Sequence, residues 1–262
     1  MASKDEIATR EQWILDHLLR VGSITVEQIC NESGVSLATA RRDLRNLEQQ
    51  GRLRRNYGGA VPIEPLLYEQ FRHASSYKDQ IEKHADEKRR IALAAARLIS
   101  DGDTIVLTSG TTTNQVARSI PAGREVTVVT STVNVAMELT NRPGVSVFVT
   151  GGFLHGEWFS LVGPAAIQTL SGIFPDKVFI GANGVHPDHG VTAYHPDEAA
   201  LNKTMVRQSR EKIIVADHSK LGIVATHLIC PVEEISLIIT DTEATPDAIA
   251  GFIQKGIEVR RV

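Results

Sequence analysis

The chain has 262 residues, 23% of them charged and 42% hydrophobic, with a formal net charge of −3. That is the make-up of a globular protein of one large or two ordinary domains. No apolar run approaches the roughly 18 residues a membrane span needs, and MASKDEIATREQW has no apolar core segment to serve as a secretory leader, so a cytoplasmic location is expected.

Two cysteines far apart, Cys30 and Cys230, are expected as free thiols, and no CxxC, HExxH or fixed-period repeat occurs. The net charge hides an asymmetry. Arg41, Arg42, Arg45, Arg52, Arg54 and Arg55 stand against only Asp43 and Glu48, a local balance of +4 that leaves about −7 for the rest. An acidic molecule with one basic patch repels polyanions everywhere except at that patch.

In chain order, TREQWILDHLLRVG predicts a helix capped by Thr9 and ended by Gly22, with Trp13, Ile14, Leu18 and Val21 on its inner face. TVEQICNES predicts a second, starting after Thr25 with Val26, Ile29 and Cys30 inward, and Gly34 supplies a tight turn. Ser36 caps a third, in which Ala40, Leu44 and Leu47 form the inner stripe and Gly51 closes. Residues 25–44 thus have the layout of a helix-turn-helix, whose last helix enters the DNA major groove. Opposite the apolar stripe that helix offers Ser36, Ala38, Thr39, Arg41, Arg42 and Arg45. Small residues let it sink into the groove, and arginine forks onto guanine or grips phosphate. RLRRNYGGAV then reads as a two-stranded wing turning at Gly58-Gly59, with Arg54, Arg55 and Asn56 near phosphates or the minor groove.

ATARRDLRNLEQQGRLRRNYGGA resembles the N-terminal signature of the DeoR family of bacterial transcription regulators, through Arg41-Arg42-Asp43-Leu44, Leu47, Gly51, Arg55 and Gly58-Gly59-Ala60. Ala40 stands where the family often has isoleucine, which should loosen packing without altering the DNA face.

Pro62 and Pro65 break the wing, and PIEPLLYEQFRHASSYKDQ, with Tyr68 and Phe71, reads as a partly docked linker over 62–80 between a DNA-binding domain (1–61) and a second domain (81–262). A helix is expected from about Ile81 to Gly102, burying Ile91, Ala95, Leu98 and Ile99. Beyond it TIVLTS, TVVTS, VSVFVTGG, DKVFIGANG, KIIVADHS, SLIITD and IEVRRV read as strands separated by helical stretches. Strands apolar on both faces belong in a mainly parallel sheet, so the fold class is α/β.

Ligands on such sheets bind at the carboxyl ends of strands, and small polar residues stand there. Ser109, Gly110, Thr111, Thr112 and Thr113 open a helix after the first strand, suiting a phosphate. Ser131 follows the second, Gly151 and Gly152 the third, and Asp217-His218-Ser219-Lys220 the fifth; Lys220 would neutralise a phosphate as a point charge. LTSGTTTNQVA, VVTSTVNVA, FVTGG, SLVGP, FIGANGV, GVTAYHPDEAALNKTMV, VADHSKLG and IITD resemble, in order, the DeoR-family C-terminal domain, itself similar to ribose-5-phosphate isomerases. The resemblance implies a winged helix-turn-helix joined to a Rossmann-like sensor of a phosphorylated sugar, a repressor of carbohydrate-metabolism genes that binds duplex operator DNA as a homodimer or homotetramer and needs no cofactor. The chain departs from the family at Thr108, commonly aspartate, and at Thr130-Ser131, commonly Thr-Asn.

Three rival readings fit less well. An isomerase needs a general base, yet Phe179-Ile180-Gly181-Ala182-Asn183-Gly184 has no carboxylate where the enzymes carry acids; Asp197 and Glu198 would have to substitute, at a helix start where acids also cap. A zinc site could draw on His186, His189, His195, Asp188 and Glu198, but Pro187 and Pro196 make this a loop without a helical histidine pair, and no metal is expected. A dinucleotide site lacks its GxGxxG.

Overall fold

The computed structural model describes residues 4–49, 52–62, 80–156 and 158–262, and the chain divides into two compact units, 1–71 and 72–262. The expected helix stop at Gly51 and nearly all of the expected linker, with Pro65, Tyr68 and Phe71, lie outside the described residues.

The first unit opens with α1 (Lys4–Val21). Thr9 lies inside this helix and does not cap it, because the helix already runs from Lys4. Ile14 and Leu18 are buried, whereas Val21 turns outward at the last position before the left-handed Gly22. A two-residue strand, β1 (Ile24–Thr25), leads into α2 (Val26–Ser33). Thr25 and Gln28 cap it reciprocally: Thr25 Oγ1 accepts from the Gln28 N–H at 3.1 Å, and Gln28 Oε1 accepts from the Thr25 N–H at 2.8 Å. Gly34 ends it in the left-handed region. The third helix, α3 (Leu37–Gln49), starts with Ser36 Oγ accepting from the Thr39 N–H, and buries Ala40, Leu44 and Leu47.

The wing is β2 (Leu53–Asn56) and β3 (Gly59–Pro62), antiparallel, and β1 pairs with β3 to complete a three-stranded sheet. The turn is Tyr57-Gly58, one residue earlier than expected. Gly59 belongs to the strand, where a Cβ would overlap the Ile24 carbonyl, so its bare backbone is what lets β1 approach. The strand also takes in Pro62, beyond the reach of β1, where the missing N–H costs no bond on that side.

One buried ion pair, absent from the sequence reading, fixes α1 to α3: Arg10 Nε donates to Asp43 Oδ2 at 2.7 Å, the two side chains being 8% and 1% exposed.

In the second unit α4 (Ala85–Ala96) is shorter than expected: His84, in the left-handed conformation, separates it from the helical turn at 80–82, and Leu98 and Ile99 follow it. Then come β4 (Thr104–Leu107), α5 (Thr111–Ser119), β5 (Val126–Thr130), α6 (Val133–Leu139) and β6 (Val145–Val149). A hairpin of β7 (Phe153–His155) and β8 (Ser160–Val162) precedes α7 (Pro164–Leu170) and β9 (Lys177–Ile180). After β10 (Gly184–His186) and β11 (Gly190–Ala193) come α8 (Pro196–Gln208) and β12 (Glu211–Val215). The chain closes with β13 (His227–Cys230), β14 (Leu237–Thr240), α9 (Pro246–Gln254) and β15 (Glu258–Arg261).

Seven strands form one sheet in the order β15-β14-β12-β9-β4-β5-β6, every neighbouring pair parallel. Alternate strand residues feed two cores. Ile105, Leu107, Phe179, Ile213 and Ile239 join the core under α4, α5 and α6; Val106, Val178, Ile180, Ile214 and Ile238 join the one under α7, α8 and α9. The β7–β8 hairpin and the small antiparallel sheet β10-β11-β13 were not foreseen; their strands of three or four residues are too short to show periodicity. Both cysteines are free thiols, and burial pushes that of Cys230 up to about 12. Among the described residues no helix is long and apolar enough to cross a membrane.

Removing one partner of a buried ion pair strands the other charge, at a cost of about 3–5 kcal/mol. Asp43→Ala should therefore destabilise the first unit by about that much, and Asp43→Asn by less. Urea denaturation followed by Trp13 fluorescence in a Trp158→Phe background checks this.

Candidate functional site

On α3 the buried stripe leaves Ser36, Ala38, Arg41, Arg42 and Arg45 exposed, with Thr39 half-buried and its hydroxyl 3.0 Å from that of Ser36. The three guanidiniums make no ion pair among the described residues. Arg54, Arg55 and Asn56 are exposed on β2. Arg55 is less free than the sequence suggested: its Nε donates to Glu48 Oε2 at 2.7 Å and its backbone N–H to Oε1 at 3.0 Å, which holds the Glu48 carboxyl below its ordinary range. Arg55 thereby ties the wing to α3, and the Gly58 carbonyl ties the wing tip to α2 by accepting from the Val26 N–H at 2.9 Å. Two side chains that the sequence reading passed over belong to the same surface: Leu37, half exposed at the first turn of α3, and Tyr57, fully exposed at the wing tip. An apolar and an aromatic residue interleaved with arginines was the signal available for them.

In the second unit the strands that follow one another in the sheet run outward in both directions from β4 and β9. Chain connections diverge there, and the crevice at the carboxyl ends of the two strands is where such sheets hold ligands. Glycine keeps it open: Gly110 adopts φ 146°, and a Cβ there would meet, among the described residues, Thr113 and Gly181. Thr108, at the departure from the family pattern, is wholly buried and accepts from the Gly181 N–H at 3.0 Å, pinning the ends of β4 and β9 together.

Around this crevice the residues form an arc. Ser109 Oγ donates to Glu198 Oε1 at 3.0 Å. Glu198 lies in the first turn of α8 and is 7% exposed; burial raises its pKa, against the opposing pull of the Ser109 bond, His195 and His155. The rings of His195 and His155 stand 5.0 Å apart. His155 faces Ser160 across the hairpin, and Ser160 bridges to Thr132 beside Ser131. Among the described residues, the buried hydroxyls of Ser131 and Ser160 have no hydrogen-bond partner, nor has His155 Nδ1. Such atoms are costly unless a ligand or water answers them. The arc therefore offers one carboxyl, two imidazoles and several hydroxyls, a set suited to a polyhydroxylated molecule.

The other candidates lie at varied distances from the arc. Gly151 and Gly152 are exposed after β6, and a Cβ on Gly152 would meet the Val162 carbonyl. Asp197 is exposed, turned away from its buried neighbour Glu198. Thr111 is half-buried; Thr112 and Thr113 are buried, and the Thr113 hydroxyl is spent on the Gly110 carbonyl at 2.9 Å. Lys220 stands half-buried after β12, two strands from β4, about 10 Å at the usual inter-strand spacing. Its surroundings include Asp217 and the buried Lys88, whose ammonium donates to the carbonyls of Gln80 and Lys83. Burial pushes Lys88 down to about 8, with Asp217 pulling the other way.

The histidine set considered for zinc is divided by the fold. The rings of His186 and His189 lie 4.8 Å apart, tilted by 46°, near the β10–β11 turn, whereas His195 joins His155 and Glu198. Among the described residues, the group with metal-ligand spacing is instead His218, Asp241 and Glu243, with ligand atoms within 4.8 Å of one another. Asp241 already accepts from the backbone N–H groups of His218 and Glu243 and lies 2.9 Å from His218 Nδ1, a clasp joining the ends of β12 and β14.

Residues 83–242 match the family model of the DeoR C terminal sensor domain, and residues 10–65 that of the DeoR-like helix-turn-helix domain. The chain is 37% identical over 228 residues, 87% of its length and 86% of the relative's, to the HTH-type transcriptional repressor GlcR of Bacillus subtilis. It is 34% identical over 257 residues, 95% and 92% of the two lengths, to a putative aga operon transcriptional repressor of Escherichia coli O157:H7. Among solved structures, the full-length sorbitol operon regulator SorC of Klebsiella pneumoniae aligns with 95% of this chain and 100% of its own at 13% identity and a TM-score of 0.40. Ribose 5-phosphate isomerase A of Methanocaldococcus jannaschii aligns with 53% and 55% at 18% identity and a TM-score of 0.39.

An acid whose pKa rises on folding binds its proton more tightly when folded, so its contribution to stability is fullest below the ordinary value of 4.5 and is lost as pH climbs through the raised value. Glu198→Gln keeps an acceptor for Ser109 without the charge. Thermal unfolding across pH 4 to 8 should show the variant more stable than wild type at neutral pH, and that part of the pH dependence gone.

Proposed function

The chain belongs to the DeoR family of transcriptional regulators, and from that premise we propose that it represses carbohydrate-metabolism genes and changes its operator affinity when a phosphorylated sugar binds the sensor unit. It is a DNA-binding regulator and not an enzyme. That the two relatives above are named as repressors, one of them of the aga operon, supports repression here.

The observation that carries the ligand reading is the arc at the β4–β9 crevice, where Glu198 is buried against Ser109 and the hydroxyls of Ser131 and Ser160 have no partner among the described residues. Sugar hydroxyls both donate and accept, so they can answer the carboxyl and the serines together. The phosphate would lie toward the Gly110–Thr111 end of α5, with Lys220 supplying charge from the side. No cofactor or metal enters this reading, and it implies a cytoplasmic protein acting as a homodimer or homotetramer. The ligand acts by preferring one of two states of the regulator, a coupling typically worth about 1–3 kcal/mol.

Two measurements test it. Arg42→Ala should weaken operator binding by about 1–3 kcal/mol in a salt titration and leave the circular dichroism spectrum intact; unchanged affinity removes Arg42 from the interface. In a thermal-shift screen, a sugar phosphate at about 100 times its Kd adds about 2.7 kcal/mol to the native state. That shift should shrink in Lys220→Ala and vanish in Glu198→Gln, and a screen in which no sugar phosphate raises the melting temperature refutes the ligand class.

A further inference from the structure

We propose that the outer edge of β6, together with the β7–β8 hairpin, docks a second copy of this chain across a two-fold axis. β6 ends the seven-stranded sheet: it pairs with β5 on one side and with no strand on the other among the described residues. The hairpin adjoins the same neighbour, since Ser160 bridges to Thr132 just past β5. Four large apolar side chains are exposed here within seven residues, Phe148, Val149, Phe153 and Leu154, and Phe153 is 78% exposed. Scattered exposed apolar residues are ordinary; a cluster on an open strand edge is a site of association.

Charge selects the occupant. From Pro143 to Gly156 there is no Asp, Glu, Lys or Arg, in a chain that is 23% charged. The opposite edge, β15, reads Glu-Val-Arg-Arg and is blunted as solvent-facing edges are. A polyanion finds no cation on the β6 edge. A second copy finds its own neutral, apolar match, because a two-fold contact sets the same patch against itself, and antiparallel pairing of two β6 strands satisfies both open rows of backbone groups. The inference rests on the regulator reading in one respect: a helix-turn-helix protein reads paired half-sites through two copies.

Sedimentation equilibrium of the full-length protein tests it. Wild type should behave as a dimer or a larger even-numbered assembly at micromolar concentration. Phe153→Glu/Leu154→Glu, which sets like charges across the axis, should raise the dissociation constant at this contact at least 100-fold with an unchanged circular dichroism spectrum. Phe148→Cys should form a disulfide-linked dimer on mild oxidation, where wild type, with the same two native cysteines, and Arg260→Cys on β15 do not. A monomeric wild type, a double variant of wild-type mass, or equal cross-linking at both edges overturns the proposal. A dimer that passes these tests yet ignores sugar phosphates leaves the interface standing and removes only the ligand reading.

Discussion

The parallel register of the seven-stranded sheet is the constraint from which the sensor unit follows. When every strand runs the same way, every carboxyl end emerges on one side of the sheet, and every connection must cross back over a face. The order of strands then leaves a single position, between β4 and β9, where successive connections leave in opposite directions. Ser109, Gly110 and Gly181 occupy that gap because only small groups allow the two strand ends to be pinned by Thr108 without filling it. Glu198 and the two imidazoles arrive from other elements, α8 and the β7–β8 hairpin, and meet there because the sheet fixes where each connection ends.

The first unit solves a different problem. It must bury one face of a short helix well enough to hold it still and leave the other bare. Three apolar residues, Ala40, Leu44 and Leu47, supply the buried face, and the Arg10–Asp43 pair adds an orientation that apolar contact alone would leave loose. The wing is then positioned by polar bonds to both neighbouring helices, through Glu48 on α3 and Val26 on α2. Arg55 does structural work at the same time as it faces solvent, and Arg41, Arg42 and Arg45 stay available for a polyanion.

Legibility in the sequence followed the length and regularity of each signal. Most of the seven sheet strands could be read because each centres on a short apolar run, β15 with its Glu-Val-Arg-Arg being the exception, and the recognition helix because its stripe and arginines repeat at helical spacing behind a serine cap. The hairpin FLH…SLV could not, since three residues show no period, and with it His155 and Ser160 were missed although both stand on the candidate arc. The wing turn was placed one residue late because two adjacent glycines look alike in sequence; only the close passage of Ile24 distinguishes the turn glycine from the strand glycine. Ion pairs between distant residues, such as Arg10 with Asp43, leave no trace in a single sequence, and neither does the division of the loop histidines between two regions.

The contrast between the two margins of the sheet bears on how far assembly can go. If β6 is joined to its own symmetry mate, the enlarged sheet has β15 at both extremities, each lined by Glu258, Arg260 and Arg261. Neither extremity can recruit another strand without desolvating those ions. Growth through this sheet is self-terminating, and a regulator assembled this way is spared the polymerisation that an uncharged strand at each end would invite.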